Sequence, residues 1–386
     1  MSNADIVAER DVLGYPAKAT GLPLLGLTVG ADGYWSGRFW EKVRGEMVRR
    51  ACEKVRVVGA DSYLAYFDDK IVPPPERREA LKRTIDTWGK EAQNNIARLK
   101  VGIVGLGSVG CIVAETMARV GIAHLTLIDP DTVEPHNLDR LLYASERDIG
   151  KRKVDLATRT IMSHTTAGSI EVTALPMSIH EESAYKAAID CDILFSCVDR
   201  PIGRDVLNHI AYAHLIPVVD GGIAIETMND QLHSAHWRSH LIGPHRQCMR
   251  CLGQYNTSMV TMELDGSLTD PSYIASLPPE ARTTNQNVFP FSLSVAAMEV
   301  NLMFRYLLAR DWWPRVRQQD YRFVTQDIGF PANGCRSGCE FPQRVAKGDS
   351  VAPFYLKERQ KPARSWGLPA LRSRLSYLFR LLQRRR

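Results

Sequence analysis

The chain reads as an α/β protein on a doubly wound, mostly parallel sheet, and three observations carry that reading. The run KVGIVGLG over residues 100–107 is a short apolar strand ending in glycines. Apolar strand-like runs then alternate strictly with helical runs as far as Gly222. Past Gly222 the rhythm breaks into short polar and aromatic segments, which reads as a smaller mixed sheet extending the first.

Taken in order, residues 1–72 mix Gly and Pro clusters (GLPLLGLTVGADGYWSG) with FWEKVRGEMVRRACEKVRVV, whose spacing predicts a helix. The three prolines of KIVPPPER resist both helix and sheet and mark a linker, so residues 1–72 form a small N-terminal accessory domain for docking. A helical pattern from Glu76 to Ala97 precedes the first strand. Then come a helix from Ser108 to Val120, strand HLTLIDP, helix KRKVDLATRTIM, strand SIEVTALP, a helix from Ser183 to Ala188, strand DILFSCVD, helix IGRDVLNHIAYAHL and strand PVVDGG. An apolar helix from Phe291 to Leu308 and a strand-like YRFVTQD complete a second domain over residues 73–345. In the remaining segment, 346–386, Leu371, Leu375, Leu378, Phe379 and Leu382 fall on one stripe of a basic amphipathic helix, which suits docking to protein, with a membrane surface or nucleic acid as the alternatives.

The bulk numbers bound the function. A chain of 386 residues with 45% hydrophobic content buries one large core or two moderate ones. Lys357 to Arg386 holds ten Lys or Arg against one Glu, so the net +6 becomes about −3 over everything before it. That balance argues against nucleic acid as the partner. No start resembles a signal peptide and no window reaches the roughly 18 apolar residues of a membrane span, so the expectation is a cytoplasmic protein with reduced thiols.

The chemistry lies between Leu99 and Asp199. Gly105, Gly107 and Gly110 form a GxGxxG that follows a strand and opens a helix, where backbone N–H groups and the helix dipole face a phosphate. Asp129 ends the next strand and suits ribose hydroxyls. Thus far a dehydrogenase fits equally well. Asn137 and Arg140, three apart, share a face if the segment is helical, and Arg140 and then Lys153 add the positive charge that nucleotidyl transfer needs on the attacked phosphate and on leaving pyrophosphate. Asp199, at the end of a later strand, supplies a carboxylate for Mg²⁺. Cys248 and Cys251 (C-x2-C) with Cys335 and Cys339 (C-x3-C) have the spacing of a closed, structural Zn²⁺ site.

In order and spacing these residues resemble the ubiquitin-activating-like adenylyltransferases, the ThiF/MoeB/HesA group. The family pattern is GxGxxG, then D-x-D-x-V-x-x-x-N-x-x-R-Q, G-K-x-K, a strand ending in Asp, and two cysteine pairs. Here it runs from Gly105 through Asp129, Asp131, Asn137, Arg140, Gly150 and Lys153 to Asp199, CMRC and CRSGC. The resemblance spans about Glu76 to Glu340. It implies ATP and Mg²⁺ as cofactors beside zinc, with Asp129 and Asp131 on the nucleoside side, Asn137, Arg140 and Lys153 on the phosphates, and Asp199 on the metal. The substrate it implies is the C-terminal carboxylate of a small ubiquitin-like or sulfur-carrier protein, as in bacterial ubiquitin-like conjugation pathways that include a conjugating-enzyme-like protein. It also implies a homodimer in which an arginine of one copy, Arg78 or Arg83 here, serves the other. Leu141 departs from the pattern, which has Gln there.

Members that hold their substrate as a thioester place a cysteine between the two pairs. No cysteine lies between Cys251 and Cys335, and Thr283 falls near the matching position. A hydroxyl is a far poorer nucleophile than a thiolate. The expectation is therefore adenylation without a thioester on this chain, the acyl adenylate passing to another acceptor. An NAD-dependent oxidoreductase with structural zinc and a non-catalytic scaffold of the same family stand as alternatives.

Overall fold

The computed structural model describes residues 3–76, 79–269, 287–309, 312–330 and 334–353. Helix α1 (Asn3–Thr20) leads into strands β1 (Leu24–Val29), β2 (Trp35–Val43) and β3 (Glu46–Ala51), an antiparallel sheet in that order. Strands β4 (Lys54–Val58) and β5 (Tyr63–Phe67) form a separate hairpin. The helix expected over residues 39–58 is therefore a correction: the segment makes most of β2 and all of β3 and β4. Arg44 at φ +50° and Gly45 at φ +93° supply the two left-handed residues of a tight hairpin turn, and Val43 pairs with Glu46 across it. Both arginine and glycine at that turn outweigh the helical spacing of the charged residues around them. The α1 helix itself was not anticipated; buried Glu9 fixes it by taking the Arg38 Nε–H at 2.6 Å and the Trp40 indole N–H at 3.0 Å.

Helices α2 (Lys82–Trp88) and α3 (Lys90–Ala97) then enter the main unit. It comprises β6 (Lys100–Val104), α4 (Ser108–Arg119), β7 (His124–Ile128), α5 (Lys153–His164), β8 (Glu171–Leu175), α6 (Glu182–Ala188), β9 (Ile193–Ser196), α7 (Pro201–Ala213), β10 (Val218–Met228) and β11 (Gln231–Ile242). Helix α8 (Thr257–Leu264), helix α9 (Phe289–Leu307), β12 (Gln319–Arg322) and β13 (Asp327–Gly329) follow. The strands form one sheet of eight in the order β13-β12-β11-β10-β9-β6-β7-β8. The five from β10 to β8 run parallel, and β11, β12 and β13 are added antiparallel. The mixed extension expected after Gly222 is this antiparallel part, continuous with the parallel sheet.

Strand alternation feeds two cores. Val101, Ile103, Ile193 and Phe195 pack on one face with α4, α5 and α9, while Val104, Leu194 and Val218 pack on the other with α6, α7 and the cysteine pairs. Chain direction across the sheet reverses between β6 and β9, so their carboxyl ends flank a switch-point crevice, the usual place for a ligand in such folds.

The β4–β5 hairpin sits at the opposite, amino ends of β6 and β9. Asp192, just before β9 and fully buried, holds Lys54 Nζ at 2.6 Å, the Tyr63 hydroxyl at 3.2 Å and the Lys100 N–H at 2.9 Å. Tyr63 and Phe67 belong to the same hydrophobic cluster as α4 and α9. At the hairpin tip, Arg246 Nη2 donates to the Ala60 carbonyl, and Tyr306 donates to the Gly59 carbonyl at 2.8 Å. No helix among the described residues is long and apolar enough to cross a membrane. Residues 354–386, with the predicted basic helix, lie outside the described residues.

Candidate functional site

The three glycines have different jobs. Gly105 has φ +88°, and a Cβ there would stand 2.3 Å from the Cys197 carbonyl oxygen, so the loop after β6 lies directly on the chain leaving β9. A Cβ on Gly110 would stand 1.8 Å from the Gly105 carbonyl oxygen, so the first turn of α4 packs against the loop's own backbone. Gly107 caps α4 in an extended conformation with open space where a Cβ would go. That open side leaves room for an anion beside the first N–H groups of α4.

Asp129 braces this loop. Its Oδ2 accepts the Leu106 N–H at 2.5 Å and its Oδ1 accepts the Asp131 N–H at 2.8 Å, with only 3% of the residue exposed. Burial pushes its pKa up; the Lys153 ammonium and the two backbone donors work against that. Lys153 arrives from residues 20 positions downstream because Thr132 bridges Arg152, and the Val133 N–H donates to the Lys151 carbonyl at 2.9 Å. The Lys153 N–H bonds the Asp131 carbonyl at 3.0 Å, and Lys153 Nζ bonds Asp131 Oδ2 at 2.9 Å. Two motifs separated in sequence are thus zipped together beside the glycine loop.

Asn137 closes a short 3₁₀ turn, Pro135–Asn137, and its Oδ1 accepts the Glu134 N–H at 3.1 Å. Arg140, one turn on, donates to the His136 carbonyl at 2.6 Å and to Asp139 at 2.8 Å. Both side chains are engaged locally, and no direct contact joins either to Lys153 or the glycines. Leu141, in place of the pattern's Gln, is 4% exposed and belongs to the core beside α4. Asp199 is exposed on the loop between β9 and α7, two residues past the Cys197 that touches Gly105.

Arg83 is exposed on α2. Leu81, just before α2, would meet a Cβ on Gly121, past the carboxyl end of α4, so α2 lies at the far end of that helix from the glycine loop. Arg78 and Thr283 lie outside the described residues.

The four Sγ atoms of Cys248, Cys251, Cys335 and Cys339 all lie within 4.8 Å of one another, a group able to hold a metal ion. Cys248 and Cys339 Sγ are 3.7 Å apart. Tetrahedral zinc with bonds of about 2.3 Å requires sulfurs about 3.8 Å apart. Backbone N–H groups of Cys248 and Cys251 already point at sulfurs, at 3.3 Å each, as suits thiolates. Burial raises the pKa of the other four cysteines, Cys111 to about 11, Cys191 to about 12, and Cys52 and Cys197 in the same direction. These thiols stay protonated at neutral pH and are poor nucleophiles.

Three residues next to the loop were not picked out from the sequence. Asn287 Nδ2 donates to the Ser108 hydroxyl at 2.8 Å, joining the start of α9 to the first residue of α4. Asp220, the third residue of β10, accepts the Ser196 hydroxyl at 2.7 Å and faces Arg204 at 3.5 Å. Glu299 is fully buried beneath the site, 3.9 Å from Cys197 Sγ. It is the one acid in the apolar run of α9, which was the available signal.

A model of the ThiF family matches residues 81–321. The molybdopterin-synthase adenylyltransferase of Escherichia coli K12 is 32% identical over 146 residues, 37% of this chain and 56% of that protein. The SAMP-activating enzyme E1 of Haloferax volcanii is 24% identical over 168 residues, 44% of this chain and 58% of that protein. The chain thus spans little more than half the length of these curated relatives. Among solved structures, E. coli MccB with MccA-N7isoASN superposes at a TM-score of 0.52, with 18% identity, over 69% of this chain and 75% of that one. At that identity the likeness concerns the fold.

Proposed function

The chain belongs to the ThiF family, and from that premise we propose that it is an adenylyltransferase joining AMP from ATP to the C-terminal carboxylate of a small ubiquitin-like or sulfur-carrier protein. The observation that carries the reading is the convergence of the glycine loop, Asp129 and the buried Lys153 at the β6–β9 crevice. A dinucleotide enzyme keeps its pyrophosphate intact and has no need of an ammonium sunk beside that loop. Two relatives named as an adenylyltransferase and an activating enzyme support the same choice.

In this reading the phosphates lie on the Gly107 side of the loop and the α4 amino end. A carboxylate oxygen of the substrate attacks the α-phosphorus, the new O–P bond forms in line, and the bond to the β-phosphate oxygen breaks with both electrons leaving on pyrophosphate. Lys153 and Arg140 stabilise charge on the phosphates, Arg140 after exchanging its local carbonyl for a phosphate oxygen; Asn137 orients that turn. Asp199 would hold a Mg²⁺, which would shield the leaving group. The four-cysteine cluster would hold Zn²⁺ as a structural clamp on the chain between its pairs. Arg78 or Arg83 would act on the site of a second copy in a homodimer, since α2 lies far from the loop of its own chain. The N-terminal α1 and β1–β3 unit would dock partners, including a conjugating-enzyme-like protein.

The product leaves as a free acyl adenylate. The chain between the cysteine pairs holds no cysteine, and burial keeps Cys52, Cys111, Cys191 and Cys197 protonated. Purified protein with its carrier should exchange labelled pyrophosphate into ATP, and Asp199→Ala should lower the rate by at least about 100-fold. No adduct sensitive to reducing thiols should form. Exchange that survives Asp199→Ala removes the metal assignment, and a thiol-sensitive adduct overturns the transfer without a thioester.

A further inference from the structure

The Lys153 ammonium already has a counter-ion. Its side chain is 10% exposed and is held at 2.9 Å by Asp131, whose own side chain is 62% exposed. The pair is tethered twice, since the Lys153 N–H also bonds the Asp131 carbonyl at 3.0 Å. Asp131 is in turn fixed to the glycine loop: its N–H donates to Asp129, which accepts from Leu106. The ammonium sunk beside the glycine loop is thus shared with a tethered anion that is itself open to solvent.

Resting on the ATP-site reading, we propose that Asp131 is a positioning residue that holds Lys153 in place and competes with the triphosphate for its ammonium. Two consequences have opposite signs. Removing the Asp131 charge leaves the ammonium free and takes away a negative charge beside the phosphates, so nucleotide binds more tightly. It also untethers a long side chain that must be in register during transfer, so turnover slows. A residue with a purely structural role would weaken binding or leave it unchanged, whereas a positioning residue of this kind lowers KM and kcat together. Asp131 is open to solvent, so its replacement leaves the core intact.

The test is a double-mutant cycle on ATP binding by the full chain, measured by calorimetry with and without Mg²⁺, using Asp131→Asn, Lys153→Ala and the double variant. Asp131→Asn should tighten ATP about 3- to 10-fold, and the gain should vanish in the Lys153→Ala background. Asp131→Ala, as the second variant, should behave likewise. In pyrophosphate exchange, both kcat and the KM for ATP should fall in Asp131→Asn. Unchanged or weaker ATP binding in that variant overturns the proposal, and weakening confined to Mg²⁺ makes Asp131 a metal ligand instead. A wild-type chain that binds no ATP is a different failure, that of the ATP-site reading itself.

Discussion

Asp129 Oδ2 lies 2.5 Å from the Leu106 backbone nitrogen, so the carboxylate at the end of β7 grips the loop at the end of β6 from inside the protein. The same side chain takes the Asp131 N–H on its other oxygen. In sequence, Asp129 looks like a ribose ligand and nothing more. In the fold it also holds the loop's shape, which leaves Gly105 and Gly110 free to be pressed against the Cys197 and Gly105 carbonyls without the loop springing out. Loop conformation and the nucleotide contact proposed for Asp129 would therefore be linked through one carboxylate.

That link makes the three glycines unequal under substitution. Gly110→Ala puts a methyl group 1.8 Å from a backbone oxygen, and neither partner is a flexible side chain, so the turn must open. The expected cost is about 2 kcal/mol or more, with ATP binding lost. Gly107→Ala meets open space and an allowed backbone, so stability should change by less than about 1 kcal/mol while ATP binding weakens, the methyl standing where phosphate approaches. Thermal melts beside ATP titrations of both variants check this. Equal stability losses in the two would show that the loop is not packed as described.

The parallel half of the fold was legible because buried strands and amphipathic helices carry different periods, and each of those expected strands and helices is present. The N-terminal unit was misread for a physical reason. In residues 39–58, charged residues alternate with apolar ones at spacings that serve a helix as well as a strand, and only the Arg44–Gly45 turn decides between them. At the site, the glycines, Asp129 and Lys153 were legible as a set because they sit at strand and helix ends in fixed order. The Asp131–Lys153 pair was not, since it depends on the Thr132–Arg152 bridge between two segments that no local pattern joins. Asp192, which fastens the hairpin carrying Lys54 and Tyr63, was silent for the same reason: its partners lie more than a hundred residues away.

The cysteine cluster makes a separate prediction. Four sulfurs within 4.8 Å of one another beside Tyr212 and Arg246 should bind one Zn²⁺ per chain, and the ion should tie residues 248–251 to residues 335–339. Cys251→Ser should lower zinc content measured by atomic emission and cost several kcal/mol, because site formation and folding are coupled. A strong chelator should reproduce the loss of melting temperature in the wild type and have little effect on the variant. Full stability without zinc would mean that the thiols pack as buried free cysteines.

Glu299 gives the pH dependence. It is fully buried on α9, its Oε1 has no hydrogen-bond partner among the described residues, and Gly221 leaves the space it occupies, since a Cβ there would stand 2.4 Å from that oxygen. Burial first, and then the Asp220 charge, raises its pKa well above the ordinary 4.5. For an acid whose folded pKa is raised, stability falls as pH rises. The protonated form is the one the fold accommodates, so its contribution is fully present below the unfolded pKa and is lost as pH rises through the raised folded value. Glu299→Gln keeps the neutral shape at every pH. At pH 5 the variant should lie within about 1 kcal/mol of the wild type, and between pH 5 and pH 9 the wild type should lose more stability than the variant. Denaturant melts of both proteins across that range measure the difference directly, and parallel curves would show that Glu299 is ionised in the folded chain at neutral pH, with Arg204 compensating its charge.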